Sequence, residues 1–555
     1  MNYRASQLRI APVSLALLAA LSGACSSIES DYGASGADTN ATNPGSASLS
    51  GSAGETWPGD DSGAATGGSE PWGSTSAASS DSASASDGDS AASTSGADPD
   101  GTTGDASTGD ASSSSSGTTG DPACDIETPV VLYLSPDDSN STSSPVQVRE
   151  AVLGDFGGLS WVPIRTWEFL NYYNFAYAPA EPGQLRVTPE VARFKSLPEG
   201  QMAMQIGISG EAVPAADRPL MNVTLVLDES GSMGGTPMDM EREVCRQIAG
   251  SLRKGDIVSM VGWDTSNAVK LAGYVVQSVS DPKVVAECDA LEAAGGTDLS
   301  GGLNAGYKLA TEHFSAGRIN RVVLISDGGA NAGETDIEVI AKGAGDQGAD
   351  GIYLVGVGVG TSESYQDQLM DVVTDAGKGA SLFIPSKAEA VKMFKDRFVS
   401  TMMVAARDVR VRLDMPPGFE IVRFSGEEYS SDASEIEPQH LAPNDAMVFH
   451  QTIQTCAPEL VDDAASFTVT TRWQDAVTFE QREVQETRKF NELLAEPSAN
   501  LLKGAAVFAY AEGLKAIQAE DWTGKTRALE ALALAEDALP GDPDLAEIRA
   551  VLEAL

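Results

Sequence analysis

Between Leu220 and about Ala405, short apolar runs alternate with stretches whose apolar residues recur every three or four positions. The runs predict strands at Met221–Asp228, Asp256–Trp263, Ala268–Val276, Arg321–Asp327, Gly351–Val357 and Ala380–Ile384. The spaced stretches predict helices near Met238–Leu252, Pro282–Ala293, Ser300–Phe314, Asp336–Gly345, Ser364–Asp375 and Lys387–Val404. The first, fourth and fifth runs are almost continuously apolar, as strands covered on both faces must be. Between the second and third lies only Asp264-Thr265-Ser266-Asn267, which is hairpin length and predicts one antiparallel edge strand. The pattern as a whole predicts an α/β fold, a doubly wound and mostly parallel six-stranded sheet.

The flanks read differently. Ahead of the α/β region, Val146–Leu153 and the pair Arg186–Val191 and Met202–Ser209 predict strands, with a short aromatic-rich helix at Ile164–Phe175. After Arg407, alternating segments at Val409–Leu413, Phe419–Phe424, Ala446–Ile453 and Ser466–Trp473 predict a small antiparallel β domain. Apolar repeats in Leu501–Ala516, Arg527–Leu539 and Leu545–Leu555 predict a C-terminal helical cap, too few units for a stacked array. The chain thus divides into a leader (1–25), a tether (26–124), an N-terminal segment (125–217), the α/β domain (218–405), a β-rich domain (406–485) and a helical region (486–555).

Composition explains the first two parts. Arg4 and Arg9 precede an apolar stretch, Ile10 to Leu21, that is too short to span a bilayer and reads as an export signal. It ends in Leu21-Ser22-Gly23-Ala24-Cys25, which resembles a bacterial lipobox, although Ser22 stands where a large apolar residue is usual. Lipidation at Cys25 would hold the chain at the cell envelope by a lipid anchor alone, since no later run reaches the ~20 apolar residues of a membrane helix. Ser26 after the cysteine favours the outer membrane or cell surface in a diderm cell. From Ser26 to Ala123 the chain is Ser, Gly, Ala, Thr and Asp without Lys or Arg, a composition that cannot offset chain entropy by burial and predicts disorder. As a flexible coil it would reach roughly 50–60 Å. The 80 acidic against 36 basic residues, a formal net charge of −44, repel nucleic acid and anionic lipid as direct partners. Four cysteines remain: Cys124, Cys245, Cys288 and Cys456 allow three pairings. Cys245 with Cys288 joins neighbouring predicted helices, which would leave Cys124 with Cys456 to tie the flanks; the alternative is that some of the four are free buried thiols.

The candidate chemistry is Asp228-Glu229-Ser230-Gly231-Ser232, directly after the buried run NVTLVLD. Asp-x-Ser-x-Ser alone means little, and the tether holds a chance copy at Asp110, Ser112 and Ser114. At the carboxyl end of a buried strand, however, a turn can aim one carboxylate and two hydroxyls at one point. Thr297 opens a helix, and Asp327 ends the fourth strand, which neighbours the first where chain order reverses and ligands gather. These oxygens suit a hard cation such as Mg²⁺, with Mn²⁺ or Ca²⁺ as alternatives.

On these residues the sequence resembles von Willebrand factor A domains with a metal-ion-dependent adhesion site. The likeness extends from about Val146 to Val469, and the segments Asn171–Tyr177 and Gly317–Arg321 resemble a bacterial subfamily of exported A-domain proteins. The resemblance implies coordination by the hydroxyls of Ser230, Ser232 and Thr297, with Asp228 and Asp327 acting directly or through water. It also implies that a protein partner donates a carboxylate to the ion. Enzyme chemistry finds little support. The three histidines, His313, His440 and His450, form no His-Glu-x-x-His motif, no Gly-x-Ser-x-Gly elbow is present, and Gly356–Gly360 lacks the Lys-Ser/Thr ending of a phosphate loop. The expected function is therefore an envelope-tethered binding module, the alternative being a scaffold in which the metal only stabilises the fold.

Overall fold

The computed structural model describes residues 124–137, 140–154, 158–329, 351–361, 365–462, 465–494 and 496–555. The leader with Cys25, the tether and the predicted helix Asp336–Gly345 lie outside them.

The central sheet has six strands in the spatial order Asn267–Val275, Ile257–Trp263, Met221–Asp228, Ile319–Ser326, Tyr353–Val359, Ala380–Ile384. Only Asn267–Val275 is antiparallel, and it lies at the edge. Every residue of the Met221–Asp228, Ile319–Ser326 and Tyr353–Val359 strands except Ile319 is buried, which accounts for their continuous apolar runs. Side chains alternate between two cores. Val223, Leu225 and Leu227 pack with Val244, Ile248 and Phe394 on one face, whereas Val226 joins Leu303, Tyr307 and Phe383 on the other.

The helices Thr236–Ser251, Pro282–Asp289, Leu299–Glu312 and Asp367–Ala376 cover these faces. Two depart from expectation. Pro282–Asp289 stops short of Ala293 because the following chain is drawn onto the site loop: Ala294 N–H donates to Glu229 O at 2.6 Å, and the Arg242 guanidinium caps Leu291 O. Lys387–Val404 is no single helix but Lys387–Val391, a π turn at Lys392–Asp396 and Phe398–Met402.

The predicted strand Val146–Leu153 is a helix, Ser143–Leu153. Its Val-Gln-Val alternation misleads because residues 143 to 148 are all buried, whichever way they point, and Pro145 is at home in a first helical turn. The β-rich flank also has a different make-up from a domain confined to residues after 406. Val130–Ser135 pairs with Ala406–Met415, and Gln201–Ser209 pairs with Ala446–Thr455. The N-terminal and C-terminal flanks therefore build two antiparallel sheets together, with one core between them containing Leu134, Ile206, Val411, Phe449 and Trp473. Cys124 is bonded to Cys456 across this sandwich, their Cα atoms 5.8 Å apart.

The C-terminal helices Ala499–Gln518, Thr523–Ala538 and Pro543–Ala554 share the core of the Leu303 face, where Tyr510 meets Phe169 edge-on at 5.4 Å. Arg149 bridges Glu389 at 2.9 Å and Glu547 at 3.1 Å, tying the last helix to the central domain. Among the described residues no helix is long and apolar enough to cross a membrane.

Candidate metal centre

Parallel pairing sets the site. Leu227 lies opposite Ile325, so the two central strands end at nearly the same level; Asp228 follows Leu227 directly and Asp327 follows Ile325 by two residues. Both are buried, with Asp228 wholly inaccessible. The Asp228 carboxylate is held from two sides: Oδ1 accepts the Ser230 backbone N–H at 2.9 Å, and Oδ2 accepts the Ser326 hydroxyl at 2.6 Å. Ser230 and Ser232 bring their hydroxyl oxygens to 3.0 Å, one buried and one exposed on the short 3-10 turn Gly231–Met233.

Thr297 reaches the same end of the sheet through its loop and is buried there. Gly231 N–H donates to Gly295 O at 3.2 Å, Gly296 N–H to Thr265 Oγ1 at 2.7 Å and Asp298 N–H to Asp264 O at 2.8 Å. Gly295 has φ +75° and a Cβ there would fall 2.7 Å from Asp264 Oδ2, so only glycine lets this loop close over the site. Asp298 then caps the Leu299–Glu312 helix by accepting the Gly301 N–H. Sequence motifs, strand register and loop pinning thus bring all five predicted residues to one end of the sheet.

Electrostatics there are unbalanced. Burial pushes the Asp228 carboxyl up to about 7; hydrogen bonds from Ser230 and Ser326 oppose that, and the like charge of Asp327 adds to it. Behind it Glu241 accepts the Asp228 backbone N–H at 2.8 Å; burial first and Asp228 second raise its carboxyl well above the usual range. Among the described residues no basic side chain forms an ion pair with Asp228 or Asp327, and Lys270 pairs instead with Glu229. Two carboxylates and three hydroxyls are hard oxygen donors, and a divalent cation would relieve the repulsion between the acids. No cluster of three or more His, Cys, Asp or Glu with metal-holding geometry occurs among the described residues, so the donor set depends on its hydroxyls.

Ser326 and Glu241 were not anticipated from sequence. Glu241 was detectable, because it shares a helical face with Val244, Cys245 and Ile248, where an acid needs a reason. Cys245, on that helix, is bonded to Cys288 with a Cα separation of 5.6 Å. The histidines stand apart from the site: His313 caps the end of Leu299–Glu312, while His440 and His450 belong to the sandwich strands.

Residues 222–397 match the family model for the von Willebrand factor type A domain. The chain is 24% identical over 264 residues to an uncharacterized protein, YfbK, of Escherichia coli K12, covering 46% of this chain and 45% of that protein. It is 26% identical over 194 residues to inter-alpha-trypsin inhibitor heavy chain H2 of Sus scrofa, covering 34% and 20%. The chain thus spans about half or less of the length of these relatives. Among solved structures, a von Willebrand factor type A protein from Catenulispora acidiphila superposes with a TM-score of 0.41 at 15% identity over 64% of this chain and 87% of that one.

Proposed function

We propose that this chain, which carries a von Willebrand factor type A domain at residues 222–397, is an envelope-tethered module that captures an acidic group of a protein partner through a divalent cation. Such domains commonly mediate protein–protein binding or adhesion. The observation that carries the reading is the pair of buried carboxylates, Asp228 and Asp327, at the same end of the sheet as Ser230, Ser232 and Thr297, with no ion pair to a basic side chain among the described residues. Mg²⁺ suits the donors best, with Mn²⁺ or Ca²⁺ as alternatives. Bound there, the cation would offer a coordination position to a carboxylate oxygen, and exposed Ser232 marks the side from which a partner approaches. Cys25 as lipid anchor and the 26–124 tether supply the location in this reading.

The test is thermal unfolding of the full chain in EDTA and then in Mg²⁺, beside Asp228→Ala, followed by binding to an array of Glu-bearing peptides. Wild type should gain stability with Mg²⁺ and bind peptides only in its presence, while the variant does neither. If neither protein responds to Mg²⁺, the metal reading is lost. Mg²⁺ stabilisation of wild type with peptide capture unchanged in the variant would favour a scaffold with a purely structural ion.

A further inference from the structure

A second polar site lies at the opposite end of the Ile319–Ser326 strand. Arg321 is about 20 Å from Asp327 along that strand, at ~3.3 Å per residue. It lines a cavity of about 110 Å³ between the central sheet, the Phe398–Met402 helix and the sandwich strand Gln439–Leu441. Arg321 is 4% exposed, and its Nε donates to Met402 O at 2.9 Å, but its Nη1 has no partner. Among the described residues no carboxylate pairs with it, and the ionisable groups felt by its guanidinium are Tyr353 and Tyr307. Its neighbours are the Tyr353 ring, 5.2 Å from the guanidinium carbon, and beyond that ring Arg407, also at 5.2 Å.

Two more lining residues carry idle donors. Arg397 spends Nη1 on Tyr172 O at 2.8 Å and leaves Nη2 unpaired. His440 accepts the Asp408 N–H at Nδ1, 3.2 Å away, so its neutral ring bears the proton on Nε2, which has no acceptor. Lys378 stands at the same cavity, loosely paired with Asp408 at 3.8 Å; among the described residues Asp445 is the one carboxylate on the lining, its pKa raised by burial and held back by the charge of Arg397. The positive field is felt locally: burial first, and then Arg321, Arg407 and Lys378, push the His440 ring down to about 3.

A buried guanidinium without a counter-ion is costly, and idle buried donors cost about 1–3 kcal/mol each. Water could answer the donors but not the charge. Gln439, whose amide donates to Ser135 Oγ, leaves its Oε1 unpaired, an acceptor for a protonated oxygen.

We propose that this cavity binds a compact oxyanion, of phosphate, sulfate or small-carboxylate type, held by Arg321, Arg397 and His440, which line it and each keep one donor unpaired. It is independent of the cation site, with which it shares only the strand. Inorganic phosphate, sulfate and acetate are titrated against the full chain in EDTA at constant ionic strength, with chloride as control, and followed by thermal unfolding and calorimetry. The expected result is a saturable upward shift for at least one probe; the ranking of phosphate and sulfate against acetate tells a tetrahedral anion from a carboxylate. Arg321→Met should abolish the response, and Lys378→Gln, at a half-exposed position that spares the core, should weaken it several-fold. The proposal is overturned if no probe differs from chloride, or if the response persists undiminished in both variants. Should Arg321→Met fail to fold, Lys378→Gln together with Arg397→Gln decides on the same criterion.

Discussion

The two ends of the Ile319–Ser326 strand present opposite unpaired charges. Among the described residues, Asp327 and Asp228 at the carboxyl end form no ion pair with a basic side chain, and Arg321 at the amino end is buried without an ion pair to an acid. In both places the fold holds charge that its own described residues do not neutralise. The difference lies in how each charge is supported. The carboxylate end is pinned by backbone hydrogen bonds and capped turns within one domain, whereas the guanidinium end is assembled from the central sheet and both flanks. Local sequence can encode the first and cannot easily encode the second.

The largest way to separate the two ends is the Cys245–Cys288 bond. It ties the helix bearing Glu241 to the helix that leads into the Thr297 loop. Closing 43 residues, it should contribute about 4 kcal/mol, so Cys245→Ser with Cys288→Ser should lower denaturant stability by ~2–4 kcal/mol. Mg²⁺ binding should weaken in the same variant while the anion response is kept. Equal loss of both responses would show that the two ends are not separately supported.

Next in size is the effect of cation on the carboxylate end. At a hundredfold excess over its dissociation constant Mg²⁺ should add about 2.7 kcal/mol to wild type. Asp228→Asn keeps the acceptor for Ser230 N–H and turns its amide toward Ser326, yet removes the charge. Metal-free, that variant should be at least as stable as wild type, and Mg²⁺ should add nothing. A metal-free loss above about 2 kcal/mol would mean that the Asp228 charge is already satisfied.

How much of this was legible follows from where the information sits. The six central strands, their antiparallel edge and the five oxygens at one end were readable, because continuous apolar runs and a motif after a buried strand are local signals. The pairing of Val130–Ser135 with Ala406–Met415 was not, since nothing in either segment names a partner about 280 residues away. The same gap hid the cavity, whose donors come from three distant stretches. The helix Ser143–Leu153 was misread for a related reason: burial against the last helix, the Thr166–Tyr172 helix and the Ala380–Ile384 strand, not its own periodicity, decides its pattern. Glu241, by contrast, was overlooked rather than hidden.

The smallest effect of a single variant, read between pH 6.5 and 5, is a pH dependence that belongs to the sandwich side. His440 and His450 are both held neutral, each pushed down to about 3 chiefly by burial, with Arg321, Arg407 and Lys378 adding to it at His440 and Arg423 at His450. In the unfolded chain a histidine takes up its proton near 6.5. Between those values the unfolded state binds more protons, so stability is full above pH 6.5 and falls as pH drops toward 3, by up to about 1.4 kcal/mol per pH unit for each ring. Carboxylates at the cation end titrate over an overlapping range, so the histidine share must be isolated by mutation. His440→Gln should flatten the slope between pH 6.5 and 5 by about half of the two-ring contribution, measured by denaturant unfolding in EDTA. His450→Gln, whose ring hydrogen-bonds Gln205 at 2.9 Å, should remove the other half. Saturating oxyanion should reduce the slope in wild type and leave His440→Gln unchanged, because a bound anion offsets the positive charges that add to burial in keeping His440 neutral. An oxyanion effect of the same size in both proteins would place the anion elsewhere and collapse the contrast between the two ends of the strand.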